Sequence, residues 1–188
     1  MWMKIGLLLL ITVPVVGGAY WVTSNFFFLE SAEYSLVSRE GDFELRDYPE
    51  LTVASTPAGS SGEDPAFNRL FQFIQGGNNR QEKISMTTPV LIGNGQMSFV
   101  IPSEFDRKGV PDPAHESVLI ESRPAVRVAA YRFSGVADET LRGKALQKLE
   151  AWMARQQLTA QGDPTFAYYD APFIPGPFRR NEVMLQVR

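Results

Sequence analysis

Short runs of alternating apolar and polar positions, two amphipathic stripes and one long uncharged run at the start divide this chain of 188 residues. Alternation begins at Tyr34 and Leu36 and breaks at Glu40-Gly41-Asp42. It resumes with Phe43 and Leu45 inward and Glu44 and Arg46 outward, which predicts a hairpin. After Pro49, Leu51 and Val53 alternate again, and the run dissolves into a Gly/Ser/Pro loop from Thr56 to Gly62. Asp64 is placed to cap a helix with Pro65 at its first position. Ala66, Phe67, Leu70, Phe71 and Ile74 then share one face before Gly76-Gly77 ends it. Met86–Ile92 and Met97–Ile101 flank Gly93-Asn94-Gly95, where Asn-Gly supplies the positive backbone angles of a tight hairpin turn.

Three prolines and several charges between Pro102 and Glu116 predict a surface connector, followed by strand character at Val118 and Ile120 and at Val126 and Val128. A second helix starts near Asp138, with Leu141, Ala145, Leu149, Trp152 and Gln156 on one face and Leu146 and Met153 widening the stripe. Thr165–Tyr169 reads as a strand, Asp170–Phe178 as a Pro/Gly-rich loop, and Asn181–Val187 as a closing strand. The two halves repeat: Pro49-Glu50-Leu51-Thr52-Val53-Ala54 matches Pro124-Ala125-Val126-Arg127-Val128-Ala129 at an offset of 75 residues, and the same offset aligns the two helices. A unit of that size buries its apolar face poorly alone, so two halves, about 34–102 and 118–188, are expected to pair. The fold class this predicts is α+β, a pseudo-twofold repeat forming a distorted antiparallel β-barrel or sheet flanked by two main helices and preceded by an N-terminal hydrophobic helix.

That leading segment runs uncharged from Ile5 to Leu29. Its most apolar part, Ile5–Val22, would be roughly 27 Å long as a helix, just enough to span a bilayer. Lys4 precedes it while Glu30 and Glu33 follow, which puts the rest of the chain on the exported, periplasmic side. Residues 1–30 are therefore read as a membrane anchor and 31–188 as the exported domain. The competing reading is a signal peptide cut near Gly17-Gly18-Ala19, which would release the domain to the periplasm.

Composition then narrows the chemistry. The sequence holds no cysteine, which excludes disulfides, thiolate metal sites and a cysteine nucleophile. A single histidine, His115, rules out a multi-histidine metal site and sits in the Pro-rich connector as a solvated loop residue. A net charge of -3 without clustering argues against a nucleic-acid partner. No Gly-x-Ser-x-Gly elbow or phosphate loop is present, and Glu63/Asp64 and Asp138/Glu139 stand at helix starts, where capping explains them. No enzymatic signature emerges, and a carboxylate pair assembled from distant residues leaves no spacing to read.

Lys83-Ile84-Ser85-Met86-Thr87-Thr88-Pro89-Val90, Tyr169-Asp170-Ala171-Pro172-Phe173 and Arg179-Arg180-Asn181-Glu182-Val183, in that order, resemble the SOUL haem-binding protein family. Glu44-Leu45-Arg46-Asp47-Tyr48 and Ile101-Pro102-Ser103-Glu104-Phe105 support it, and the resemblance runs from about Tyr34 to Val187. It implies a distorted barrel with two helices and a non-enzymatic protein that binds haem or a related tetrapyrrole reversibly, for buffering or transfer. The groove it implies lies between the first helix, with Phe67, Leu70, Phe71 and Ile74, and the late loop, with Phe173, Ile174 and Phe178. Arg179 and Arg180 would pair with the propionates. The first-helix residues taken one by one read more readily as core, and the two arginines equally as a surface pair. One branch of the family carries a proposed axial histidine where this chain has Asp47, a poor donor to haem iron. Met86, Tyr168, Tyr169 or His115 would then ligate, or no side chain would. Phe73 and Pro65 stand where some relatives present cations. The alternative is an interaction module whose groove takes a peptide, a lipid or a small amphiphile.

Overall fold

The computed structural model describes residues 29–58 and 63–188. The N-terminal segment read as an anchor or signal peptide, including its hydrophobic helix, lies outside them, as does most of the Gly/Ser/Pro loop. Among the described residues no helix is long and apolar enough to cross a membrane.

Alternation becomes strand as expected in β1 (Ser35–Glu40), β2 (Phe43–Tyr48) and β3 (Leu51–Pro57). Helix α1 (Glu63–Ile74) follows, then β4 (Val90–Gly93) and β5 (Gln96–Val100). The β4–β5 turn uses Asn94 at φ 51 and Gly95 at φ 71, the left-handed angles that a two-residue hairpin needs. The connector contains a one-turn helix, α2 (Phe105–Lys108), anchored by a fully buried Phe105. Proline and charge content had concealed that single buried ring. Then come β6 (Leu119–Arg123), β7 (Val126–Phe133), α3 (Glu139–Arg155), β8 (Ala160–Tyr168) and β9 (Asn181–Val187). The Asp138 side chain caps α3 by accepting from the Leu141 N–H at 2.8 Å.

Nine antiparallel strands form one open sheet in the order β1-β2-β7-β9-β8-β4-β5-β3-β6. Read outward from its β8–β4 centre, the order is symmetric: β8, β9, β7, β2 on one side answer β4, β5, β3, β6 on the other. The offset of 75 residues relates β2 to β6 and β3 to β7, and α3 begins within a residue of the place it assigns. Neither half pairs only with itself. β2 precedes β3 in sequence but pairs with β7, and β6 precedes β7 but pairs with β3. The sheet does not close into the barrel that was one expected form. Its outer strands β1 and β6 remain edges, because alternation specifies local pairing and carries no signal for joining the first strand to the last.

The two long helices, α1 and α3, cover one face of the sheet. α1 buries Ala66, Leu70, Phe73 and Ile74 against Ala54, Met97 and Phe99, with Val90 and Ile92 packed alongside. α3 buries Ala145, Leu149, Trp152 and Met153 against Ala129, Tyr131, Val183 and Leu185, with Phe166 alongside. The opposite face carries its own apolar cluster of Tyr48, Val53, Leu91, Val100, Val128, Ala130, Ala167 and Met184. Covering both faces overturns the outward placement of Glu44 and Arg46, which are 2% and 1% exposed.

Candidate functional site

The chain directions bring the two expected walls to one end of the sheet. β3 ends at Pro57 opposite Gln96, so α1 must run back toward the start of β4. There the Ile84 N–H donates to the Ile74 carbonyl at 2.8 Å, and Val90 opens β4 opposite Tyr168. Tyr168 is also where β8 ends and the loop 169–180 begins. The last turns of α1, Met86 and that loop therefore lie toward one end of the sheet.

At this end the expected residues divide by exposure. Leu70 and Ile74 are fully buried, so they belong to the core and present nothing to a ligand. Phe71 is 41% exposed and stacks on half-buried Phe67, with ring centroids 5.9 Å apart at 14°. Phe67 in turn meets Phe99 edge-on at 5.3 Å, which fixes the pair to the sheet. The stripe read from the sequence thus shifts: Phe73, not Phe71, fills the core. Met86 is half-buried against the α1 cluster. Across the end, Phe173 and Phe178 are 61% and 76% exposed, while Ile174 is half-buried.

The two arginines hold the loop. Arg179 donates from Nε to the Ile174 carbonyl at 2.7 Å and from Nη2 to the Pro172 carbonyl. Arg180 pairs with Asp170 at 2.8 Å, and its backbone N–H donates to the same carboxylate at 2.6 Å. Burial pushes the Asp170 carboxyl up, but the hydrogen bonds and charge of Arg180 outweigh it and hold the group below the ordinary range. The aromatic loop is thereby shaped from within.

Of the side chains weighed as axial donors to haem iron, Asp47, Tyr169 and His115 are engaged by other partners. Asp47 is bound by Arg127 through two hydrogen bonds of 2.7 Å. It lies opposite Arg127 on β7, six residues from Phe133 at the loop end, roughly 20 Å away along the strand. Tyr169 donates to Glu182 at 2.9 Å, and burial followed by the Glu182 charge pushes its phenol far above the ordinary value. His115 is exposed with Nδ1 2.9 Å from Ser117 Oγ. Among the described residues no cluster of three or more His, Asp or Glu is placed to hold a metal ion.

Sequence reasoning missed a buried ionic network on the face away from the helices. Arg46 donates to Glu44 at 2.5 Å and to Glu182 at 2.6 and 2.8 Å, and Arg39 also pairs with Glu44. The guanidinium lies 4.3 Å from the Tyr34 ring centroid. The available signal was the Glu-x-Arg spacing itself, two opposite charges on one strand face, which needs a partner when that face is buried.

The matches to known proteins agree with this fold. The family model described as SOUL heme-binding protein matches residues 29–186, and the chain belongs to that family. Heme-binding protein 1 of Mus musculus is 31% identical over 132 residues, covering 64% of this chain and 68% of its own length. Heme-binding protein 1 of Xenopus laevis is 29% identical over 174 residues, covering 82% and 90%. Among solved structures the EcmrR C-terminal domain superposes with a TM-score of 0.58 at 13% identity, covering 82% of this chain and 98% of that one, a likeness of fold alone.

Proposed function

We propose that this protein binds haem or a related tetrapyrrole reversibly and without enzymatic turnover, on the helix-bearing face between α1 and the loop 169–180. The observation that carries the reading, beside family membership, is the stacked Phe67–Phe71 pair presented at the same sheet end as exposed Phe173 and Phe178. A flat apolar ligand gains most from such rings, which offer area and stacking together. The porphyrin face would lie on Phe71, with Phe67 beneath it and Phe178 or Phe173 closing from the loop. Arg179 and Arg180 would meet the propionates at the loop's surface while continuing to shape it. With Asp47 held by Arg127 and Tyr169 by Glu182, retention would come from ring burial rather than from a strong bond to iron. The long uncharged run Ile5–Leu29 supports placement at the cell envelope, where buffering or handing over haem would be the task.

The test is a titration of the full chain with haemin, followed at the Soret band. Saturation at one equivalent is expected, and Phe71→Asp should weaken it by about tenfold or more, since it replaces a stacking ring with a charge beside the propionates. Saturable binding indifferent to Phe71→Asp would remove the site, and unsaturable binding would remove the function.

A further inference from the structure

The face away from the helices holds a concavity that the tetrapyrrole reading does not use. Its volume is about 560 Å³, and its lining includes Tyr48, Leu51, Leu91, Val126, Val128 and Met184. The cavity sits on the pseudo-twofold axis: Tyr48, Pro49 and Leu51 line it from one half, and their repeat counterparts Arg123, Pro124 and Val126 from the other. These are the two crossovers created by the exchanged strands, so the cavity follows from the topology.

The symmetry breaks in its charges. On one side Arg46 is fully neutralised by Glu44 and Glu182, behind Tyr48. On the other, Arg123 stands where Tyr48 stands and lines the cavity itself. Its Nη2 donates to Ser98 Oγ at 2.7 Å, and Ser98 is fixed by Ser55 at 2.9 Å. A hydroxyl positions a guanidinium but does not neutralise it. Glu121, on the same strand face, is half-buried, and Asp163 on the far rim is exposed. Burial pulls the Arg123 guanidinium below its ordinary value, and the Glu121 charge opposes this without overcoming it. An open concavity of small-molecule size, with apolar side chains on one part of its wall and Gln96, Glu121, Asp163 and Gln186 on another, holds a guanidinium bonded to a hydroxyl and to no carboxylate, which suits a guest with an apolar body and an acidic head.

We propose that this cavity is a second binding site, for a small carboxylate with an apolar body, its carboxylate on Arg123 and its chain over Val126, Val128 and Met184. The site is separate from the tetrapyrrole face because the sheet stands between them. A charge-assisted bond in a partly dry wall favours the ionised acid over a neutral analogue of equal length by about tenfold or more.

The experiment uses the full chain and four ten-carbon probes: decanoate, methyl decanoate, decanol and decylammonium, titrated by calorimetry. Decanoate is expected to bind at one equivalent and at least about tenfold more tightly than the other three. Arg123→Gln should reduce it to the level of decanol while leaving haemin affinity unchanged. Ser98→Ala, which removes only the positioning hydroxyl, should weaken decanoate by a smaller factor. Equal binding of decanoate and its methyl ester to the unaltered chain would overturn the proposal without reliance on any variant, as would tighter binding of decylammonium. Displacement of decanoate by one equivalent of haemin would show a single shared site and overturn it too.

Discussion

Arg46 shows how much one side chain decides here. It is 1% exposed, lies between Glu44 and Glu182, and ties β2 to β9 across the intervening β7. Removing one member of such a network leaves the others charged in a dry place, which costs more than the network itself contributes. Arg46→Met should therefore destabilise the protein by about 3–5 kcal/mol, read as a drop in the denaturant midpoint. Acid acts on the same group. Burial raises the Glu44 carboxyl, but its hydrogen bonds from Arg46 and Arg39 prevail and place it below its ordinary value of 4.5. A carboxyl depressed in the folded state contributes stability fully above its unfolded value and loses it as pH falls through the folded one. The denaturant midpoint should accordingly stay level, as far as this group is concerned, from pH 8 to about 5 and fall below about 4.5, with Glu44→Gln flattening the fall. Alternation placed Glu44 and Arg46 in water because it assumes one wet face, and this sheet is dry on both there.

At the scale of an element, α1 carries a buried set and an outward-facing ring on neighbouring turns. The buried set Ala66, Leu70, Phe73 and Ile74 follows helical spacing, while Phe71 turns outward and stacks on Phe67. Phe73→Ala should cost about 3–5 kcal/mol of stability and Phe71→Ala less than about 1, measured by the same denaturant titration, with only the second sparing the fold while weakening haemin binding. Three phenylalanines within seven residues made both stripes plausible in sequence. Packing against Met97 and Phe99 decides between them, and that contact is not local. α3 was legible because its signals are local: the Asp138 cap and an apolar stripe with one large anchor, Trp152, whose Nε1 donates to Glu40 at 2.8 Å. The loop 169–180 was legible in composition but not in bonding. Sequence pattern points Arg179 and Arg180 outward to a ligand, whereas in the structure they hold carbonyls and Asp170 within the loop.

Across the whole molecule, duplication and strand exchange produce two opposed surfaces from one sheet. The repeat offset of 75 residues was visible in sequence and survives in the structure, because each half keeps its strand, helix and hairpin in order. The exchange of β2 and β6 between halves was not visible, since a strand's pattern names its faces and not its neighbour. That exchange creates the cavity on the axis, while the helices leave aromatic rings at the opposite face. Family membership points to haem, and on the reading proposed above the aromatic platform holds it without help from Asp47 or Tyr169, which are bonded elsewhere. The most direct measurement is a paired titration of the full chain with haemin and with metal-free protoporphyrin. Retention by ring burial predicts affinities within about threefold of each other, since the iron adds little when no donor reaches it. A preference for haemin of more than about tenfold would contradict the account and direct attention to Met86 and His115 as ligands.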